Sequence, residues 1–504
     1  MLIGEGTYSC VYNNGNGIVV KKYKGKGCGI PPDLIREIAT LKIIKSDYVI
    51  TLYSYSQTFD SIEIPYYKYD LGKAITKQIP LNKILIFQSI CLGLYALHSV
   101  GIVHRDIKPG NVMVKNRNHA IIIDTGFAKT FELDRKCGER TPKVVTLYYR
   151  APEIILGKKY SFGVDVWSAG CILAELYTGN YLFEITNELS LLHYQCYFMG
   201  ADTKHILESK LLDKKIELKN IRDVKEEPGI YEETFKRFGK DFCKLFGGML
   251  KINYKNRYTI ADCLNSNYFA NSSSKYKQEA ENYEDYLDEF EYDFDFRGVP
   301  QVIIFMRKIL VEWMLETVES YLLPDCVYFR SLIILDKFIC MSTWEVIEEL
   351  INGKKFQLIG MASLWIASKY ENNDPIMPED LIYISDNIYG VDDLFQMERT
   401  ICETIDLNLC SPLFSNYVCI FSKDLKLSPE QVRQFKKYLK ICSQNEKHYL
   451  WSTSIICVIC GYLALGEKLD KEDGILSEIA EPDRENLFQC QKEILGWIEK
   501  SEIL

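Results

Sequence analysis

The chain has 504 residues, 47% of them hydrophobic and 26% charged, with a formal net charge of −9. Such a composition belongs to a folded chain of two to four domains, and the acidic balance excludes a broadly basic nucleic-acid-binding surface. The 17 cysteines are scattered and no secretory pattern opens the sequence, so the expected setting is reducing and intracellular (nucleus and/or cytoplasm, not secreted).

Residues 1–60 are rich in Gly, Val, Tyr and Lys. In "GEGTYSCVY", Gly4 and Gly6 allow a tight turn whose backbone amides can approach phosphates. "IVVKKYK" reads as a strand. Alternation with Val19 places Lys21 on one face, where it can pair with phosphates, and Lys22 on the other. In "GIPPDLIREIATLK", two prolines precede a helix on which Leu34, Ile38 and Leu41 form a core stripe. Ile30 and Ile35 lie off that stripe and call for a second cover, and Glu37 is placed to hold Lys21.

Residues 75–270 mix helices with short strands. In "HRDIKPGNV", Asp106 can accept the proton of an attacking hydroxyl, Lys108 can neutralise a transferring phosphoryl group, and Asn111 can give an oxygen to a metal. "IIIDTGFAK" ends a strand with Asp124, a second metal ligand. Positioning, divalent charge and a carboxylate near the nucleophile are what phosphoryl transfer requires.

Residues 271–296 follow, with nine carboxylates between Glu279 and Asp295 and aromatics between them. Like charges and a Ser run predict an extended tether. Residues 300–504 carry long helical patterns. In "MRKILVEWMLETVESYLL", Ile309, Trp313 and Glu316 share a face on which Trp and Met are expected in the core. Small residues Gly360, Ala362 and Ser363 let a central helix be closely surrounded. Cys457 and Cys460, within "SIICVICGYLAL", read as part of a buried apolar helix, and Gly461 interrupts the run too early for a membrane span.

Residues 1–270 resemble a eukaryotic protein kinase in motif order and spacing, including "APE" at 151–153, "DVWSAGC" at 165–171 and "INYKNRYT" at 252–259. The resemblance implies a bilobal α+β fold (N-lobe 1–68, C-lobe 69–270), ATP bound by Gly4, Glu5, Gly6, Lys21 and Tyr67, Mg²⁺ held by Asn111 and Asp124, and catalysis by Asp106, Lys108, Lys21 and Glu37. It also implies a Glu153–Arg257 pair and an Asp165 that braces the catalytic loop. "GIPPDLIRE" and "VVTLYYRAPEIILG" resemble the cyclin-dependent kinases. That subfamily implies an activating phosphate on Thr141 gathered by Arg36, Arg105 and Lys129, inhibitory phosphosites at Thr7 and Tyr8, and Ser/Thr-Pro substrates. Lys129 stands where the family has arginine and offers a point charge instead of a fork. Thr125, in "DTG", replaces a phenylalanine that packs under the cyclin-binding helix. With three residues before the glycine loop, the first strand is expected to be nearly absent.

The third zone resembles a cyclin: "MRKILVEW" and "ASKYEN" match its box, and Arg307, Asp336, Leu358, Lys369 and Glu398 its signature positions. The resemblance implies an all-α cyclin fold of two five-helix repeats, a box at 299–411 and a divergent second repeat at 412–504, after a linker at 271–298. It implies that Lys369 and Glu398 bond the backbone near Ile30, with Ile30 and Ile35 in the kinase–cyclin contact. Met306, Ile309, Leu310, Trp313, Glu316 and Gln357 match a patch by which some cyclins dock substrates; core packing accounts for part of the same pattern. A flexible tether of about 28 residues spans on the order of 30 Å, giving roughly millimolar effective concentration. The expected protein is therefore an ATP- and Mg²⁺-dependent Ser/Thr kinase activated in cis by its own cyclin half, with protein substrates and neither nucleic acid nor membrane as a partner. Two rival readings are a pseudokinase scaffold and a cyclin-type adaptor that recruits another kinase.

Overall fold

The computed structural model describes residues 1–25, 29–130, 147–157, 161–200, 230–270, 296–372, 374–411, 413–466 and 481–503. The chain divides into two compact units: Met1–Gly25 with Pro31–Tyr286, and Lys26–Ile30 with Leu287–Leu504. Among the described residues, no helix is long and apolar enough to cross a membrane.

The first unit opens with an antiparallel sheet in the order β1-β2-β3-β5-β4, made of β1 (Leu2–Glu5), β2 (Ser9–Asn13), β3 (Ile18–Tyr23), β4 (Ser54–Tyr55) and β5 (Ser61–Pro65). β1 is present, contrary to the expectation from the short N-terminus: its four residues pair with β2 from Leu2↔Tyr12 to Glu5↔Cys10 across a bulge. The bulge spends one residue of an already short strand yet keeps both ends in register. β3 alternates as its sequence requires. Val19, Lys21 and Tyr23 are buried, while Lys22 faces out toward Asp60, 3.6 Å away.

α1 (Pro32–Ile43) starts on Pro32, whose fixed φ suits a first turn and whose missing N–H costs nothing there. Leu34 through Leu41 are all buried. After β6 (Tyr69–Asp70) come α2 (Leu71–Thr76) and α3 (Lys83–Ser99), capped by the side chains of Asp70 and Asn82. β7 (Ile102–Val103), β8 (Val112–Asn116), β9 (His119–Ile122) and β10 (Lys129–Thr130) form two small sheets, β6-β8-β9 and β10-β7. The helices α4 (Pro152–Ile155), α5 (Gly163–Thr178), α6 (Glu188–Met199), α7 (Tyr231–Phe235), α8 (Lys240–Met249) and α9 (Ile260–Leu264) complete the unit. α5 is its axis: Trp167 is fully buried, and Gly170 lets Leu250 approach to 3.1 Å of where a Cβ would sit.

The second unit is helical throughout its described residues. α10 (Gln301–Ser320), α11 (Asp325–Met341), α13 (Phe356–Glu371), α14 (Pro378–Ile384) and α15 (Val391–Thr404) form its first repeat, with an additional short helix, α12 (Trp344–Asn352), between α11 and α13. α13 is buried over nearly its whole length and packs against α10, α11 and α15. A Cβ on Gly360 would lie 2.5 Å from Leu310 Cδ1, so the glycine sets how closely α10 approaches. α16 (Phe414–Asp424), α17 (Pro429–Gln444), α18 (Thr453–Leu465) and α19 (Glu481–Ile503) follow. Cys457 and Cys460 lie buried on α18, the latter with its sulfur 3.7 Å from that of Cys442.

Candidate active site

The cleft of the first unit is lined by Gly6, Thr7, Tyr8, Ser9, Lys21, Tyr23, Asp33, Asp106, Lys108, Asp124, Gly126 and Phe127. β1 and β2 deliver the 4–9 turn, which closes through Gly6 N–H donating to the Ser9 carbonyl at 2.8 Å. Gly4, Glu5 and Tyr67 are not among the lining residues. Glu5 instead accepts a hydrogen bond from Lys24 Nζ at 2.8 Å. Tyr8 meets the Phe127 ring edge-on, centroids 5.7 Å apart.

β3 aims Lys21 inward, where its Nζ donates to Glu37 Oε2 at 2.7 Å and Asp124 Oδ1 at 2.8 Å. Burial pulls the Lys21 ammonium down, but Asp124 and Glu37 outweigh it and hold it above its ordinary value. Burial pushes the Glu37 carboxyl up, with Lys21 pulling it back. Burial pushes Asp124 up as well, but there Lys21, His104 and Lys108 win and its carboxyl stays below the usual range. The outcome is one fixed cation between two carboxylates, able to exchange a carboxylate partner for a phosphate oxygen.

Residues 104–111 are held from beneath by Asp165 at the start of α5. It accepts the backbone N–H groups of His104 and Arg105 at 2.8 Å each, and His98 Nε2 lies 3.0 Å from it. Arg105 adopts φ 68°, a left-handed conformation that costs about 1–3 kcal/mol in a non-glycine residue and that these bonds sustain. Asp106 Oδ2 takes Lys108 Nζ at 2.7 Å and Asn111 Nδ2 at 2.8 Å. Burial raises the Asp106 carboxyl above its ordinary value, with Lys108 pulling it back, which makes it a better proton acceptor than an exposed aspartate. Asn111 Nδ2 also donates to the Asp106 carbonyl at 2.8 Å, so the amide nitrogen is engaged and its oxygen is the atom left for a cation.

Two basic side chains meet the stretch that follows Asp124, and a third basic residue, Lys129, lies on it. Arg36 donates to the Gly126 carbonyl at 3.4 Å and Arg105 Nε to that of Phe127 at 2.8 Å, while buried Lys129 pairs with Val103 between β10 and β7. Thr141 lies outside the described residues. Ile35 is buried on α1.

In the second unit, Lys369 on α13 and Glu398 on α15 are joined at 2.7 Å with both side chains buried. Glu398 Oε2 accepts the Ile30 N–H at 2.9 Å, and Lys369 Nζ donates to the Ile30 carbonyl at 3.0 Å. Arg307 grips Asp336 with two bonds of 2.5 and 2.7 Å. On α10 the structure departs from the core expectation. Leu310 is buried against Gly360, but Met306 and Trp313 are half-buried, Glu316 is exposed and Ile309 is 54% exposed, and Gln357 on α13 is half-buried. The face is wider than the helix–helix contact can cover.

Sequence reasoning missed Tyr23, whose hydroxyl donates to Glu37 Oε2, and Asp33 in the cleft lining. The signal for Tyr23 was available: two residues beyond Lys21 on a strand is the same face.

The protein kinase domain family matches residues 1–269 and the cyclin N-terminal domain family residues 275–410. The chain is 33% identical over 236 residues to a probable cyclin-dependent serine/threonine-protein kinase of Dictyostelium discoideum, an alignment covering 46% of this chain and 36% of that protein. It is 35% identical to cyclin-dependent kinase B2-2 of Arabidopsis thaliana, over 38% of this chain and 67% of the relative. It is 29% identical to a probable CTD kinase subunit alpha homolog of Encephalitozoon cuniculi, over 54% and 84% respectively.

Proposed function

The chain belongs to the protein kinase family, as a serine/threonine kinase of the cyclin-dependent type with a cyclin domain in the same polypeptide, and from this we propose that it phosphorylates Ser or Thr followed by Pro and is activated in cis by its cyclin half. The observation that carries the reading is the hold on Ile30. Its backbone N–H and carbonyl are taken by Glu398 and Lys369, and the next residue in the chain is the proline before α1. One buried ion pair thus grips the peptide that leads into the helix bearing Glu37.

The cleft fits a magnesium–nucleotide pair. Asp124 and the Asn111 amide oxygen are hard oxygen donors, few enough that the cation would take its remaining oxygens from phosphate and water. When bound, ATP supplies the phosphoryl group and Mg²⁺ the charge that its oxygens share. Lys21 and the backbone amides at Thr7 and Tyr8, at the tip of the turn, would hold phosphate oxygens. Asp106 orients the substrate hydroxyl and takes its proton at the carboxylate, and Lys108 screens the charge between them. Thr141 would carry the activating phosphate, gathered by Arg36, Arg105 and Lys129. Thr7 and Tyr8 in the cleft wall would repel ATP once phosphorylated. The half-exposed face of Met306, Ile309, Leu310, Trp313, Glu316 and Gln357 would dock substrates. The Ser/Thr-Pro preference rests on the likeness of "VVTLYYR" to the family's proline pocket.

Full-length protein should phosphorylate a Ser-Pro peptide and spare its Ser-Ala counterpart, and Asp124→Asn should abolish transfer. For cis pairing, Glu398→Gln and Asp106→Asn chains are mixed. Activation within one chain predicts that the mixture stays inactive on dilution, and recovery independent of concentration overturns it.

A further inference from the structure

The hold on Glu37 has a second donor besides Lys21. Tyr23, buried on the same face of β3, donates its hydroxyl to Glu37 Oε2, the oxygen that also accepts Lys21 Nζ. Its ring lies 5.3 Å from that ammonium. Burial pushes the Tyr23 phenol far above its ordinary value, and Glu37 pushes it further, so the hydroxyl is a permanent donor. Glu37 Oε1 has no hydrogen-bond partner among the described residues. The carboxylate therefore depends on the lysine and the tyrosine for its compensation, and a buried carboxylate with one donor instead of two is poorly sustained.

A second contact of α1 explains why this matters. The turn at Thr125–Phe127 packs against α1, and Thr125 is wholly buried with its hydroxyl unpartnered among the described residues. A threonine offers little apolar area to fix a helix above it. The strand side supplies the compensating grip through positions 21 and 23. Lys21 must also serve Asp124 and, in the proposed reaction, phosphate. Among the described residues, the hydroxyl of Tyr23 has Glu37 as its hydrogen-bond partner.

We infer that Tyr23 is a positioning residue: it keeps Glu37 turned toward Lys21 while Lys21 exchanges Asp124 for phosphate oxygens. The inference rests on the kinase reading above.

The test uses the full chain carrying Tyr23→Phe, which removes one hydroxyl and keeps the ring. Expected is a fall in kcat of about tenfold, the size of one hydrogen bond to a charged group, with the peptide KM unchanged and a lowered thermal midpoint that the lost donor to buried Glu37 accounts for. In a Glu37→Gln background the same substitution should add nothing. A kcat within about twofold of the parent, or a full additional loss beside Glu37→Gln, overturns the inference. Lys21 acylation by an amine-reactive ester, read by peptide mass spectrometry, gives an answer that needs no catalysis. Labelling of Lys21 should rise several-fold in Tyr23→Phe, and equal labelling overturns the positioning role. A parent protein that transfers no phosphate, yet shows this rise, would sink the kinase reading and leave the tyrosine's role standing.

Discussion

Arg257 and Glu153, 104 positions apart, meet through two charged hydrogen bonds of 2.6 and 2.9 Å with both side chains buried. The same guanidinium reaches the Gly163 carbonyl at 2.7 Å and that of Lys251 at 3.0 Å. It thus ties the start of α4 to the start of α5. Removing one member leaves the other charged and uncompensated, so Arg257→Ala should destabilise the first unit by about 3–5 kcal/mol. Hydrogen exchange of the α5 amides reports that unit alone and should speed up by at least about two decades.

Lys369 and Glu398 form a second buried pair, and it separates stability from function. Burial raises the Glu398 carboxyl, with Lys369 pulling it back, and Lys369 Nζ stands 3.3 Å above the Trp365 ring. Either single change, Lys369→Met or Glu398→Leu, should destabilise the second unit by about 3–5 kcal/mol. The double variant, with no charge left to bury, should recover most of that loss. On the cis-activation reading it should not recover kinase activity, because nothing then holds the Ile30 backbone. Calorimetry beside a peptide kinase assay distinguishes the two readouts.

Which relationships were legible beforehand follows from their range. The inward turn of Lys21 came from strand alternation, and the 104–111 loop from its local string. The small residues of α13 pointed to close packing before any neighbour was known. Pairings across the fold were less accessible. Tyr449 donates to Asp336 at 2.6 Å from 113 positions away, completing the Arg307 cluster, and no local pattern marks it. α12 was not anticipated, since nine residues between longer helices carry a weak periodic signal. The bulged β1 was underestimated because a strand's existence depends on its partner, here β2, as much as on its length.

Gly29 gives a prediction from space alone. Its φ is +64°, and a Cβ there would fall 2.2 Å from Glu398 Oε2 and 2.8 Å from Trp365 Cη2. Gly29→Ala therefore forces the Ile30 peptide off its two partners. Activity should fall by about tenfold or more, while the melting of the second unit stays within about 1 kcal/mol, because the segment can release instead of distorting the helices.

His448 predicts an acid limb. Its imidazole is buried, its Nδ1 lies 2.6 Å from the Asn445 carbonyl, and burial first and the Arg307 guanidinium second pull its pKa from 6.5 to about 4. A depressed base is neutral in the fold and charged in the unfolded chain between those values, so the unfolded state binds the extra proton. The stability is complete above pH 6.5 and is lost as pH falls toward 4, by about 3 kcal/mol in all. His448→Phe should flatten that limb, seen as a smaller drop in the second unit's thermal midpoint between pH 7 and pH 5.

Thr125 carries a hydroxyl that the fold buries and leaves unpartnered among the described residues. Its desolvation is a net cost, and a methyl group of similar shape would remove it. Thr125→Val should stabilise the first unit by about 1 kcal/mol. Thr125→Ala, which deletes the hydroxyl but opens a cavity beneath α1, should gain little or nothing. Thermal midpoints of the two variants against the parent decide it: a lower midpoint for valine would mean that the hydroxyl does find a partner.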